Sequence, residues 1–148
     1  RRDPVPGGAR AGHPVQGLVA MSPHVFVEDI SIAGIVAAKQ AFETTDLPQK
    51  LARHHRDARK TFHAWNDIWL APAFRSWNIE RFLPAIHCPL LAIQGQEDEY
   101  GSMAQVDAIA HQAGGAVELL KLEHCGHSPH KDQTQRVAEA IVEFVGRC

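Results

Sequence analysis

One aspartate and one histidine follow apolar runs that are typical of buried strands. Asp98 comes shortly after the run at 89–94, and His127 comes shortly after the run at 117–122. The carboxyl ends of parallel strands lie along one edge of a sheet, where catalytic groups gather. A carboxylate bonded to an imidazole fixes the tautomer of the ring and stabilises its charged form. The sequence therefore predicts a histidine base that is oriented by Asp98.

The residues around His127 also suggest a metal site. His124, Cys125, His127 and His130 form the pattern H-C-x-H-x-x-H. Structural zinc sites usually draw on two separate pairs of ligands, and the sequence offers no second pair. Metal binding is therefore an alternative, and we expect the protein to use no metal and no cofactor.

The second half of the chain alternates strands and helices. Ser102 and Gln105 have the spacing of a capping box that opens a helix, and Asp132 is expected to cap the last helix. Predicted strands lie at 16–21, 89–94 and 117–122. This alternation predicts a parallel α/β sheet.

Residues 28–86 read instead as a run of helices, and residues 1–15 read as an irregular tail rich in Pro and Gly. The helical segment holds seven of the ten aromatic residues: Phe42, Phe62, Trp65, Trp69, Phe74, Trp77 and Phe82. We expect most of them to form a core of their own. One or two that face a binding site would favour an apolar or aromatic substrate.

These residues carry a resemblance to a known family. The stretch C-P-L-L-A-I-Q-G-Q-E-D-E-Y-G, followed by a helix, a strand, C-G-H-S-P-H and an amphipathic last helix, resembles the C-terminal third of the α/β-hydrolase fold. The resemblance implies that Asp98 is the catalytic acid and that His127 is the catalytic histidine, first a base and then an acid. It also implies a partial parallel sheet formed by 16–27 and 87–148, with a helical cap inserted at 28–86.

The nucleophile of that family does not appear in this sequence. It lies in a G-x-S-x-G elbow, and none of the five serines has glycine two residues before and two after it: Ser22, Ser31, Ser76, Ser102 and Ser128. The elbow and the oxyanion hole would precede the strand at 16–21. The first methionine is Met21, so we do not expect residue 1 to be the natural start. The chain is expected to be a fragment that is inactive alone.

Three other assignments stay open. Ser128 follows Gly126 and His127 as in an elbow, although His130 replaces the second glycine. Cys125 is a candidate thiol nucleophile beside His127. Some members of the family have the acid after the strand that corresponds to 16–21, so Glu28 and Asp29 are alternatives to Asp98.

Composition argues against two kinds of binding partner, nucleic acids and membranes. The chain has 148 residues and a formal net charge of -2, which argues against binding to nucleic acid. It has no apolar run of about 20 residues, so no membrane helix is expected. Three widely spaced cysteines favour a reduced, cytoplasmic protein.

We expect hydrolysis of a small-molecule carboxylic ester, or of a C–C or amide bond. The alternative is a non-catalytic truncated product or a binding module.

Overall fold

The computed structural model of the protein describes residues 15–148. The tail predicted for 1–15 lies outside the described residues, except for Val15. The described chain forms two compact units, one made of 15–26 with Asn78–Cys148 and the other of Val27–Trp77. No helix within 15–148 has both the length and the apolar character needed to cross a bilayer.

A three-stranded parallel sheet forms the centre of the first unit. Its strands are β1 (Leu18–Met21), β2 (Leu90–Gly95) and β3 (Val117–Leu122), in the order β1-β2-β3. Both strand pairs are parallel, so all three carboxyl ends lie at the same edge. The predicted partial parallel sheet is confirmed.

Strand β2 is buried on both faces. Its alternate residues enter two apolar clusters, Leu90 and Ala92 in one and Leu91 and Ile93 in the other. Helix α4 (Ala104–Gln112) contributes to the first cluster, and helix α6 (Thr134–Arg147) contributes to the second. A strand that is covered on both sides reads as a continuous apolar run, and this is why β2 is visible in the sequence.

The second unit is helical. It contains α1 (Asp29–Thr44), α2 (Leu47–Ala52), α3 (Ala58–Leu70) and a short 3₁₀ helix at Pro72–Ser76. The Phe42 and Phe62 rings stack with their centroids 4.0 Å apart, and both residues are buried. Trp69, Phe74 and Trp77 form a second aromatic group. These aromatic side chains therefore pack on one another, as expected for a unit with its own core.

Residues 78–86, which the sequence assigns to the helical insertion, pack in the first unit. The end of the run of helices predicted for 28–86 is a 3₁₀ helix at Glu80–Ala85, and Pro84 lies inside it. Leu83 is buried in the same apolar cluster as Leu90. The apolar side chains of this segment are thus part of the sheet unit.

The predicted start of the last helix is wrong. Residues Pro129–Asp132 form a separate one-turn helix, α5, and α6 begins at Thr134. Asp132 does not cap α6, because its Oδ2 accepts a 2.9 Å hydrogen bond from the backbone N–H of Gly126.

Of the capping box predicted for α4, the Ser102 half is present, since its hydroxyl accepts the N–H of Ala104 at 3.2 Å, but Gln105 has a different role. The side chain of Gln105 is fully buried. Its Oε1 accepts hydrogen bonds from the N–H groups of Val25 at 2.7 Å and Phe26 at 3.4 Å, and its Nε2 donates to the carbonyl of Phe26 at 3.1 Å. Gln105 therefore fixes the segment that follows β1. There Phe26 forms an antiparallel bridge with Asn78.

We expect Gln105→Met to destabilise the protein by about 2–4 kcal/mol, because each buried polar group left unpaired costs about 1–3 kcal/mol. Urea unfolding followed by circular dichroism measures the change. The control is Gln135→Met, which removes an exposed bond to Glu139 one turn away and is expected to cost only about 0.2–0.5 kcal/mol. Equal losses in the two variants would contradict this role of Gln105.

Candidate active site

Asp98 and His127 meet at the carboxyl edge of the sheet. The Nδ1 atom of His127 lies 2.9 Å from Oδ2 and 3.0 Å from Oδ1 of Asp98. The Asp98 side chain is 1% exposed, whereas that of His127 is 36% exposed. The predicted hydrogen bond is therefore present. It engages Nδ1 and leaves Nε2 as the ring nitrogen that can exchange a proton with a bound molecule.

Further donors hold the carboxylate of Asp98, and one of them is the backbone N–H of Gly101. The backbone N–H of Tyr100 donates to Oδ1 at 2.8 Å, and the side-chain amide of Gln94 donates to Oδ2 at 2.8 Å. The Tyr100 ring also lies edge-on to the ring of His127, with centroids 4.7 Å apart. Gln94 is not among the candidate site residues predicted from the sequence, although it is the one amide side chain in the apolar run of β2.

Three side chains hold the backbone around His127. The hydroxyl of Ser22 donates to the carbonyl of His127 at 3.1 Å, and the N–H of His127 donates to Glu99 Oε2 at 3.4 Å. Asp132 holds the adjacent Gly126, as described above. The sequence signal for Ser22 was its position just after β1, at the same edge as the other two loops.

Gly95 allows these two loops to touch. A Cβ atom at this position would overlap the backbone carbonyl oxygens of Cys125 and Gly126. The neighbouring contact is a 3.0 Å hydrogen bond from the N–H of Glu97 to the carbonyl of Cys125. The acid loop and the histidine loop therefore pack backbone against backbone, and only glycine leaves room for that approach.

The pair shifts the proton affinities of both partners. Burial raises the pKa of the Asp98 carboxyl, but hydrogen bonds from His127 and from backbone N–H groups outweigh it and hold the pKa below its ordinary value. The hydrogen bond to Asp98 raises the pKa of the His127 imidazole above its ordinary value, against the opposing effect of burial. The charge of Glu99 adds to that rise. The site thus favours a carboxylate beside a ring that readily takes up a proton.

The two alternative acids, Glu28 and Asp29, belong to the second unit, whereas Asp98 and His127 both belong to the first. Asp29 pairs with Arg75 at 2.8 Å, and Glu28 is the residue that precedes α1. The ring of His127 is hydrogen-bonded to the carboxylate of Asp98.

The alternative nucleophiles lack the expected features. Burial raises the pKa of the Cys125 thiol, and the neighbouring Asp132 raises it further, so the reactive thiolate is disfavoured. The nucleophile of an elbow lies on a sharp, strained turn between a strand and a helix. Ser128 precedes α5 with a φ of −119°, which is outside the left-handed region where such strain arises. Neither residue has the activated setting of a nucleophile.

The metal alternative is not supported by the side-chain arrangement. His124 is exposed and pairs with Glu97 at 3.2 Å. Within residues 15–148, no three side chains of His, Cys, Asp or Glu are arranged to hold a metal ion.

The fold is similar to that of known hydrolases. The serine hydrolase CarC, involved in carbazole degradation, matches over 90% of this chain with a TM-score of 0.64 and 18% identity. An esterase from Pyrococcus furiosus matches over 90% with a TM-score of 0.61 and 19% identity, and a meta-cleavage product hydrolase from Pseudomonas fluorescens matches over 87% with a TM-score of 0.58 and 16% identity. The chain has the fold of part of an α/β-hydrolase.

This likeness extends over part of each α/β-hydrolase. The chain covers 55%, 45% and 55% of those three structures, and so spans about half of their length. No family model and no curated protein matches the sequence. At these identities the likeness concerns the fold.

We expect Gly95→Ala to cost about 2 kcal/mol or more, because the added methyl group meets two carbonyl oxygens that cannot move apart without separating the loops. Chemical denaturation measures the loss. The control is Gly146→Ala, since nothing lies within 4 Å of a Cβ at that position. There a small gain from helix propensity is expected. A Gly95→Ala variant as stable as Gly146→Ala would show that the loops are not in contact.

The Asp98–His127 pair should make stability depend on pH. The raised pKa of His127 means that its contribution is fully present below the unfolded value of about 6.5 and is lost as the pH rises through the folded pKa. The lowered pKa of Asp98 means that its contribution is present above about pH 4 and is lost as the pH falls. Asp98→Asn should therefore destabilise the protein more at pH 5.5 than at pH 8.5.

Urea unfolding of the unmodified protein and of Asp98→Asn, at pH 5.5 and at pH 8.5, measures this difference in the free energy of unfolding. Asp46→Asn is the control, since it removes an exposed ion pair with Lys50 that involves no histidine. The interpretation fails if the penalty of Asp98→Asn is the same at both pH values.

Proposed function

We propose that Asp98 and His127 are the acid and the base of a serine-hydrolase triad, in a protein that hydrolyses a small-molecule carboxylic ester. The observation that carries this proposal is the 2.9 Å contact between His127 Nδ1 and a carboxylate that is 1% exposed. Such a carboxylate holds the ring in the Nδ1–H tautomer, so that Nε2 accepts the proton of the nucleophile.

The proposed reaction has two halves. In the first, His127 Nε2 takes the proton of a serine hydroxyl as its oxygen bonds to the ester carbonyl carbon, and then gives that proton to the departing alcohol. In the second, Nε2 takes a proton from water as the water oxygen bonds to the acyl carbon. Nε2 then returns the proton to the serine oxygen as the bond between that oxygen and the acyl carbon breaks and the carboxylic acid leaves. Asp98 stabilises the imidazolium that forms in each half, which agrees with the raised pKa of His127.

The serine nucleophile is proposed to come from polypeptide beyond these 148 residues. Ser22 contacts His127, but its hydroxyl donates to the backbone carbonyl and not to the ring. The next residue is Pro23, which has no N–H to donate to an oxyanion. Ser22 has a left-handed φ of 46°, but its hydrogen bond and the following proline do not provide the surroundings of a nucleophile.

The bond cleaved is proposed as an ester by analogy with the esterase of similar fold, with C–C and amide bonds as further possibilities for the same triad. An apolar or aromatic substrate remains part of the proposal. A cytoplasmic location is also proposed, and it agrees with the three free cysteines.

A second candidate is a non-catalytic product or binding module. It is favoured by the absence of a G-x-S-x-G elbow from the sequence. The two candidates differ in a simple respect, since only the first requires His127 to change its protonation during turnover.

The test is an esterase assay with p-nitrophenyl butyrate on two proteins, the 148-residue chain and the longest open reading frame that contains it. We expect no turnover by the chain alone and turnover by the longer product. In the longer product, His127→Gln and Asp98→Asn should each lower kcat by about 10⁴-fold. His111→Gln, a change at an exposed position of α4, should leave kcat unchanged.

Turnover by the 148-residue chain that is lost in His127→Ala would show that the nucleophile lies within it. An inactive longer product, or one whose activity survives His127→Gln, would favour the binding module.

A further inference from the structure

Gln94 is a polar residue in the most buried strand of the sheet. It is 1% exposed and follows four buried apolar residues of β2. Its Nε2 donates to Asp98 Oδ2 at 2.8 Å and to the carbonyl oxygen of Gly101 at 2.9 Å. One amide group therefore reaches both the carboxylate and the far end of the loop that carries it.

The orientation of this amide follows from its partners. Both neighbours are acceptor oxygens, so the reverse orientation would point Oε1 at two acceptors and lose both bonds. In the present orientation, Oε1 is buried and accepts no hydrogen bond from any residue in 15–148. A buried acceptor without a donor costs free energy, and a methionine of similar length would avoid that cost. Packing alone thus does not account for glutamine at this position.

The bonds of Gln94 restrict how Asp98 can move. The Oδ2 atom of Asp98 is shared between Gln94 and His127. The Oδ1 atom of Asp98 is shared between the N–H of Tyr100 and His127. Rotation of the carboxylate would break the bond on each oxygen. Gln94 also donates to the carbonyl oxygen of Gly101, at the end of the loop that contains Asp98. This bond restrains the backbone of that loop as well.

We infer that Gln94 is a positioning residue that fixes the orientation of the Asp98 carboxylate and, through it, the tautomer of His127. Its catalytic meaning rests on the proposed function, but the positioning itself can be measured without turnover. In the neutral ring, the hydrogen bond made by Nδ1 decides which nitrogen carries the proton.

The experiment uses the full chain labelled with ¹⁵N-histidine. Long-range ¹H–¹⁵N spectra, recorded above the titration midpoint of His127, report the fraction of the Nδ1–H tautomer. Gln94→Met removes both donors and keeps the length of the side chain. We expect it to lower that fraction by about twofold or more. We also expect the titration midpoint of His127 to fall toward that of Asp98→Asn, because a misdirected carboxylate stabilises the imidazolium less.

The matched control is Gln105→Met, which makes the same change at a buried glutamine whose bonds go to Val25 and Phe26. It should reduce stability and leave the tautomer of His127 unchanged. If Gln94→Met does not fold, Gln94→Asn provides the same comparison, since it keeps an amide but is one methylene too short to reach both oxygens.

An unchanged Nδ1–H fraction in Gln94→Met, or an equal change in Gln105→Met, would overturn the inference. A titration midpoint that rises would overturn it too, because Gln94 would then only compete with His127 for the carboxylate. A changed tautomer in a chain whose longer product has no esterase activity would uphold the positioning role and reject the proposed function. An unchanged tautomer in an active enzyme would do the reverse.

Discussion

A buried carboxylate must be hydrogen-bonded on each oxygen, because an ionised group without partners is too costly to bury. Asp98 meets this requirement with His127, Gln94 and the backbone N–H groups of Tyr100 and Gly101. These partners come from a strand, from the loop of Asp98 itself and from a second loop. The hydrogen bonds of Asp98 therefore hold β2 and both loops in fixed positions relative to one another. Because Asp98 is so deeply buried, these donors must replace the water that would otherwise solvate its charge.

The parallel sheet is what makes such a meeting possible. Because all three strands end at the same edge, loops that are distant in the chain begin as neighbours. Gly95 then lets the two loops pack at backbone distance, and Ser22 joins them from the end of β1. Ser22 has a φ of 46°, a left-handed conformation that is uncommon for serine, so the chain accepts some backbone strain at this edge.

The sheet and the Asp98–His127 contact could be predicted from the sequence because both depend on local patterns. Buried strands appear as apolar runs, and parallel topology brings their loops together. The roles of Gln105 and Asp132 could not be predicted in the same way. Each has the spacing of a helix cap, but each finds partners elsewhere: Gln105 bonds to residues about 80 positions away, and Asp132 bonds back to Gly126. Local motifs fail where a tertiary hydrogen bond satisfies the same side chain.

The bridge between Phe26 and Asn78 brings together the two points where the chain leaves and re-enters the sheet unit. Val25 reinforces it, because its carbonyl accepts the N–H of Ile79 at 2.8 Å. The ends of the intervening segment therefore start and finish side by side at this bridge. The entropy of closing such a loop grows slowly with its length, by about 0.6 kcal/mol per doubling. A change in the length of this segment therefore costs little closure entropy, and the sheet edge that carries Asp98 and His127 can keep its geometry when the segment varies.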